Sequence, residues 1–357
     1  MKMKIFKLLI LRKLITTINI VFIMAFLFSN AIQAQTYSWE TQDSGTNASI
    51  RGISAVNKNI CWLSGSEGTV ARTTDGGKTW VKIPVPNCDT LDFRDIEAFS
   101  AEEAIIMSIG NGSSSRILKT IDGGKTWKEV FVNKEAKGFF DGFAFWSKNR
   151  GILMGDPIDG KLYILKTTDG GETWKPTREF DRPSVVENEY AFAASGSHIT
   201  VAGLHEAWIG TGGNKARVFY SEDDGDSWKA VDTEIIQGES STGIFSVAFK
   251  NEVVGVAVGG DYTKEGEGKN NVAITSNGGR EWELIEDANI NFCSAVRFVG
   301  KAVVATGPAN SYFSLDLGKT WKKFSDNGFH TMSIGNSPKA VWAAGRDGKV
   351  AKLKIEK

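Results

Sequence analysis

Cysteine and histidine are both scarce, at three of each in 357 residues. Cys61, Cys88 and Cys293 include no Cys-x-x-Cys pair, and no histidine lies close enough in sequence to complete a zinc set. They are expected as buried single thiols, with at most one disulfide among them and its pairing open. His198, His205 and His330 are scattered and form no metal signature, so each is expected as a satisfied or exposed ring and no metal site is expected. A dinucleotide fingerprint is missing as well. Gly210-Thr-Gly-Gly213 comes nearest, without the spacing or the following helix that would cradle a pyrophosphate. No Ser–His–Asp order suggests a catalytic triad.

A basic excess is also lacking. Lys2, Lys4, Lys7, Arg12 and Lys13 form a basic start, an apolar run follows from Ile18 to Phe28, and Ala31-Ile-Gln-Ala34 offers small residues for cleavage, as an export signal does. The apolar run is shorter than the ~20 residues of a spanning helix. Residues 1–34 are therefore expected to be removed, leaving 35–357 as one domain in the periplasm or outside the cell. The cut removes five bases and leaves 37 against 42 acids. Nucleic acid is disfavoured as a partner, because phosphate binding needs a basic patch.

What is abundant is glycine (39), phenylalanine (21) and tryptophan (11), against only 7 prolines, which suits many short strands joined by tight turns. Six segments match Ser/Thr-x-Asp-x-Gly-x-Thr-Trp: Thr73–Trp80, Thr120–Trp127, Thr167–Trp174, Ser221–Trp228, Thr275–Trp282 and Ser314–Trp321. The acids are Asp75, Asp122, Asp169, Asp223 and Asp316; the fifth repeat has Asn277 in that place and Glu281 for the threonine. Successive tryptophans are 47, 47, 54, 54 and 39 residues apart, room for a four-stranded antiparallel blade. A short acid can accept backbone N–H groups across a turn, glycine can take positive φ, and the tryptophan then anchors the next strand. Each repeat is thus expected between the third and fourth strands of a blade, in a structural role.

Six repeats do not limit the ring to six blades. After Trp321 come three more strand candidates, Phe329 to Ile334, Ala340 to Ala344 and Lys349 to Ile355, without a fourth. The mature amino terminus supplies Tyr37-Ser-Trp39-Glu-Thr, whose tryptophan stands where one follows every repeat. Pairing the ends would close the ring and leave no open sheet edge. The expected fold is all-β: a seven-bladed β-propeller whose N-terminal strand closes the last blade.

These repeats resemble the Asp-box, or BNR-like, repeats of propellers related to the photosystem II stability and assembly factor. The stretches Trp146–Pro157 and Gly255–Tyr262 are similar to an exported bacterial subgroup that often carries an oxidoreductase label. The resemblance implies a scaffold role, and puts the Asp-box turns on one face and function on the other. Aligning the inner strands on their apolar residues places Arg51, Arg94, Asp141 and Glu189 at equivalent positions in blades one to four, with Asp95 beside Arg94. Ile244, Cys293 and Phe329 follow in the last three blades, so a charged arc faces an apolar one. The arc either binds a zwitterion or polar ligand, or pairs with itself to close the channel. Loops between second and third strands add Asp156, Arg217, Asp261, Tyr262, Tyr312 and Arg346, and the polar loop Tyr262–Asn271 is a candidate rim.

The expected function is an exported, monomeric binding or assembly scaffold for an envelope protein or a small polar ligand, without a cofactor. The alternative is a propeller enzyme, redox or glycosidic. A sialidase resemblance would demand a Tyr–Glu pair, and Glu189-Tyr190, adjacent on a strand, point to opposite faces.

Overall fold

The computed structural model describes Met3 and residues 35–356. The segment read as an export signal lies outside the described residues. Ser38–Lys354 forms one compact unit; Met1–Tyr37 with Ile355–Lys357 is a second, described at Met3 and residues 35–37 and 355–356. From residue 35 onward the elements are strands and three 3-10 turns. Among the described residues no helix is long and apolar enough to cross a membrane.

Seven antiparallel sheets follow one another along the chain. Their first strands are Ile50–Ala55, Phe93–Ala98, Phe140–Phe145, Ile199–Ala202, Glu239–Phe249, Ala295–Val299 and Thr331–Ile334. These strands neighbour one another around the ring and are mostly buried, whereas fourth strands such as Val81–Lys82 are exposed. Blade seven draws its three inner strands, Thr331–Ile334, Val341–Ala344 and Lys349–Glu356, from the carboxyl end and its outer strand, Thr36–Asp43, from the amino end. Trp39 takes the place of a repeat tryptophan: its ring lies 5.0 Å from Phe329 and 5.8 Å from Phe324, and its Nε1 donates to Ser311 Oγ at 2.9 Å. The seven-bladed reading, closed by the N-terminal strand, therefore holds.

The Asp boxes are hydrogen-bonded turns. In the first, Thr73 Oγ1 accepts from Gly77 N at 2.9 Å, and Asp75 Oδ1 accepts from Thr79 N at 3.0 Å while Oδ2 accepts from Thr79 Oγ1 at 2.6 Å. Those bonds hold the Asp75 carboxyl down to about 2, the Thr79 hydroxyl contributing most. Gly76 sits at φ 81°, a left-handed conformation that glycine takes without strain. The same pattern recurs at Asp122, Asp169, Asp223 and Asp316.

The core is divided among the interfaces between blades. Blades seven and one share Ile50, Leu63, Trp342 and Val350; blades one and two share Trp62, Ile83, Phe93 and Ile106. Each repeat tryptophan packs on the interface with the preceding blade: Trp80 and Trp127 on these two, then Trp174, Trp228, Trp282 and Trp321 on the next four. Cys61, Cys88 and Cys293 are buried free thiols.

Blade five departs from the repeat. Its first strand is long, and its sheet takes two extra short strands, Gly212–Gly213 and Glu189–Tyr190. The backbones cross closely there, for a Cβ on Gly243 would lie 2.2 Å from the Gly212 Cα. The Gly210–Gly213 stretch serves this crossing.

Candidate functional site

On four first strands the ladder slips by one residue at the same place: Ile50/Gly52, Phe93/Asp95, Phe140/Gly142 and Ile244/Ser246. A bulge takes the skipped residue out of the strand's alternation and re-aims it. The skipped residues are Arg51, Arg94, Asp141 and Phe245, and all four line one depression of ≈ 560 Å³. Ser294 and His330, each just ahead of the first strand of its blade, line it too. The depression lies at the N-terminal ends of the first strands, whereas the Asp boxes follow the C-terminal ends of the third strands, at the other end of the channel.

Blade four contributes a plug instead of a side chain. Ala193 O accepts from Arg94 NH1 at 2.8 Å, Ala194 O from Arg51 NH1 at 3.3 Å, and Ser195 O from Thr331 Oγ1 at 3.0 Å. Ser195 Oγ donates to Ser294 O at 2.7 Å, and Gly196 packs so tightly on Asp95 that a Cβ would meet its carboxylate at 2.3 Å. A segment touching blades one, two, six and seven must cross the channel axis. Residues 191–194 of this plug are the floor of the depression.

Around that floor, charge and apolar surface are segregated. Arg94 Nε pairs with Asp92 Oδ2 at 2.7 Å. Arg51 is held down to about 10 by burial and by Arg94, and its Nε has no partner among the described residues. His330 is pushed down to about 3 by burial and the nearby arginines, so it is neutral at pH 7, with both ring nitrogens unpartnered. Arg346 pairs with Glu265 at the rim. Beside the arginines, burial raises Asp141 well above the usual carboxylate range, helped by Asp156, and burial raises Asp156 to about 6. Asp141 Oδ2 and Asp156 Oδ1 are unpartnered. Across from this arc stands an aromatic wall. Phe192 and Phe245 stack at 3.9 Å, Phe292 meets Phe245 edge-on at 4.7 Å, and Tyr190 and Tyr262 approach Phe192 at 5.6 and 6.2 Å. Such a surface can hold a ligand with a carboxylate at one point and apolar groups at another.

Residues 31–140 match the family model described as Photosynthesis system II assembly factor YCF48. A solved structure of YCF48 bound to D1 peptide is similar in fold, with a TM-score of 0.64 at 18% identity, over 88% of this chain and 96% of that one. YCF48 from Cyanidioschyzon merolae is similar with a TM-score of 0.60 at 18% identity, over 88% of this chain and 98% of that one. The chain is an Asp-box propeller similar to the photosystem II assembly factor family. No curated protein matches its sequence.

Of the residues expected at this propeller's site, Arg51, Arg94, Asp141, Asp156 and Tyr262 line the depression, as does Arg346. Glu189 does not, and its assignment to the inner strand of blade four is corrected. That strand is Ile199–Ala202, and Glu189 lies on one of the added short strands. Glu189 is buried against Arg217, whose Nε donates to its Oε1 at 2.8 Å, and it accepts from Thr211 Oγ1 and Val186 N. Arg217 is thereby the partner of Glu189 and lies outside the depression's lining. Tyr190, next to Glu189, does line the depression and donates to Ser240 O at 2.8 Å. Asp95 does not line this depression: it is buried and joins blades two and three, accepting from Ile96 N and Phe143 N at 2.9 Å each. Asp261 ends its strand and accepts from Thr263, outside the depression's lining.

The expected apolar positions Ile244, Cys293 and Phe329 are one residue out of register; Phe245, Ser294 and His330 face the depression. His205 is exposed on Asp224, as a satisfied histidine should be, whereas the rings of His198 and His330 are buried with no hydrogen-bond partner among the described residues. No group of three or more His, Cys, Asp or Glu among the described residues could hold a metal ion.

Proposed function

We propose that this propeller is an exported binding and assembly module that holds a peptide segment of a partner protein in the depression opposite its Asp boxes. The observation that carries this reading is the juxtaposition of Arg51, Arg94 and neutral His330 with the wall of Phe192, Phe245 and Phe292 over one ≈ 560 Å³ depression. An acidic group on the segment would meet the arginines while apolar side chains cover the rings, and a cationic group would meet Asp156. The likeness to a YCF48 structure bound to D1 peptide supports a peptide as the ligand class. Residues 1–34 act as the export signal, placing the partner in the envelope or beyond.

The test is fluorescence anisotropy of residues 35–357 against peptides that combine an acidic group with an aromatic or aliphatic residue. Arg51→Ala and Arg94→Ala are each expected to weaken binding about tenfold or more, since a buried charge-assisted contact carries that much. Circular dichroism checks that the blades persist. Unchanged affinity in folded variants would show that the arginines only hold the plug.

Catalysis is the second reading, favoured by the unequal environments of Asp141 and Asp156, which could divide acid and base roles. A sugar or redox cofactor found on the purified chain by native mass spectrometry would move the assignment there.

A further inference from the structure

The plug divides the channel, and a second hollow of ≈ 320 Å³ lies on its other side, at the C-terminal ends of the first strands where the Asp-box turns gather. Ser195 and Gly196 of the plug line it, so it does not share the first depression's aromatic wall. Equivalent positions on the first strands form its side: Ser54, Ala144, Thr200 and Ser333 are small, and two members of the ring are charged. These are Glu97 on blade two and Arg297 on blade six, half-buried and of opposite sign.

The two charges are not spent on each other. Glu97 makes no hydrogen bond or ion pair among the described residues, and Arg297 makes one hydrogen bond, from NH1 to the carbonyl of adjacent Val296 at 2.9 Å. Each nevertheless senses the other. Burial raises Glu97 to about 7 against the pull of Arg297, and burial lowers Arg297 against the pull of Asp95 and Glu97. Asp95 itself is occupied by two backbone N–H groups. The hollow also presents hydroxyl donors: Ser54 and Ser333 accept the N–H of Ala98 and Ala55 at 3.0 Å each and donate to no described residue.

A charge withdrawn from water without a partner is costly, and two opposite charges in one hollow are best met by a molecule carrying both. We propose that this hollow is a second binding site, for a small zwitterion. Its carboxylate is taken by Arg297 with the serine hydroxyls and its ammonium by Glu97. A neutral zwitterion brings both counter-charges while adding no net charge, and the small side chains around the ring leave it room. The volume suits a molecule of amino-acid size. The site is separate from the peptide-binding depression, and its occupancy does not depend on that reading.

The test is isothermal titration calorimetry of residues 35–357 with a series of straight ω-amino acids from glycine to 6-aminohexanoate. Propionate and propylamine serve as single-charge controls. One member is expected to bind at one site per chain, its length reporting the gap between the two charges. Arg297→Gln and Glu97→Gln should each weaken it at least about tenfold, the scale of one desolvated charge-assisted contact. Ala144→Leu should abolish it by filling the hollow. The proposal is overturned if no member binds the folded chain, if propionate binds as tightly as the zwitterions, or if binding survives both charge removals.

Discussion

In five Asp boxes a Ser or Thr hydroxyl donates to the second oxygen of an aspartate, as Thr79 does to Asp75 at 2.6 Å. In the fifth box the polarity is reversed. Asn277 Nδ2 donates to Glu281 Oε2 at 3.1 Å, while Asn277 Oδ1 still accepts from Thr275 Oγ1 and Glu281 N at 3.0 Å. Donor and acceptor have been exchanged together, so this box is compensated rather than degraded. Asn277→Asp alone would set two carboxylates side by side and is expected to cost ~1 kcal/mol. Adding Glu281→Thr should recover most of that loss, and a urea-unfolding double-mutant cycle measures the coupling. If the second change recovers nothing, the reversed bond does not contribute. At this scale the sequence was informative, because the box's chemistry is local and repeats. It failed at Glu189, whose neighbours resemble an inner strand but whose partner, Arg217, lies 28 residues away.

At the scale of elements, the inner strands were legible from apolar alternation, but their register was not. A bulge inserts one residue, and a one-residue shift exchanges the faces of a strand. That is why Ile244 stood where Phe245 belongs. The plug was illegible for a different reason: Ala191–Gly196 has no counterpart in other blades, and its contacts with blades one, two, six and seven are all long-range. The carboxyls beside the plug give a pH test of the proposed site. Burial pushes Asp156 up to about 6, and burial with the nearby Asp156 raises Asp141 well above the usual carboxylate range. The folded chain thus keeps the Asp156 proton longer than the unfolded chain does. This group's effect on stability is a loss as pH rises from about 4 to about 6, with no further change above. Ligand binding should show the opposite trend where a cationic group sits on Asp156. For such a peptide, affinity is expected to increase close to tenfold between pH 5 and pH 7 as the carboxylate forms. Arg51, at about 10, and His330, at about 3, do not change charge in this window. Asp156→Asn should flatten the profile. A slope that persists in that variant would assign the titration to another group, Asp141 first.

The whole ring depends on a single closure between the chain's two ends. The strand Thr36–Asp43 pairs with Lys349–Glu356, and side chains fasten it at both flanks. Trp39 packs on Phe324 and Phe329 toward blade six, and Gln42 reaches blade one, accepting from Trp80 Nε1 at 3.1 Å and donating to Gly76 O at 3.1 Å. The other blades are held by covalent continuity from strand to strand, whereas this strand must find its sheet from the far end of the sequence, which makes closure a late, long-range event. A chain beginning at Ser44 should therefore keep blades one to six but lose the seventh blade's outer edge. Its thermal midpoint is expected to fall by about 5 °C or more, since several kcal/mol of packing go with Trp39 and its strand. The bared edge carries Lys349, Lys352 and Lys354, charges that discourage edge-to-edge association, so loosening rather than fibre growth is the expected result. A synthetic peptide of residues 36–43 should restore the midpoint by adding back the strand in trans. The same peptide with Trp39→Ala should restore it poorly. If the shortened chain melts with the full-length one, the ring is held closed by its inner strands alone.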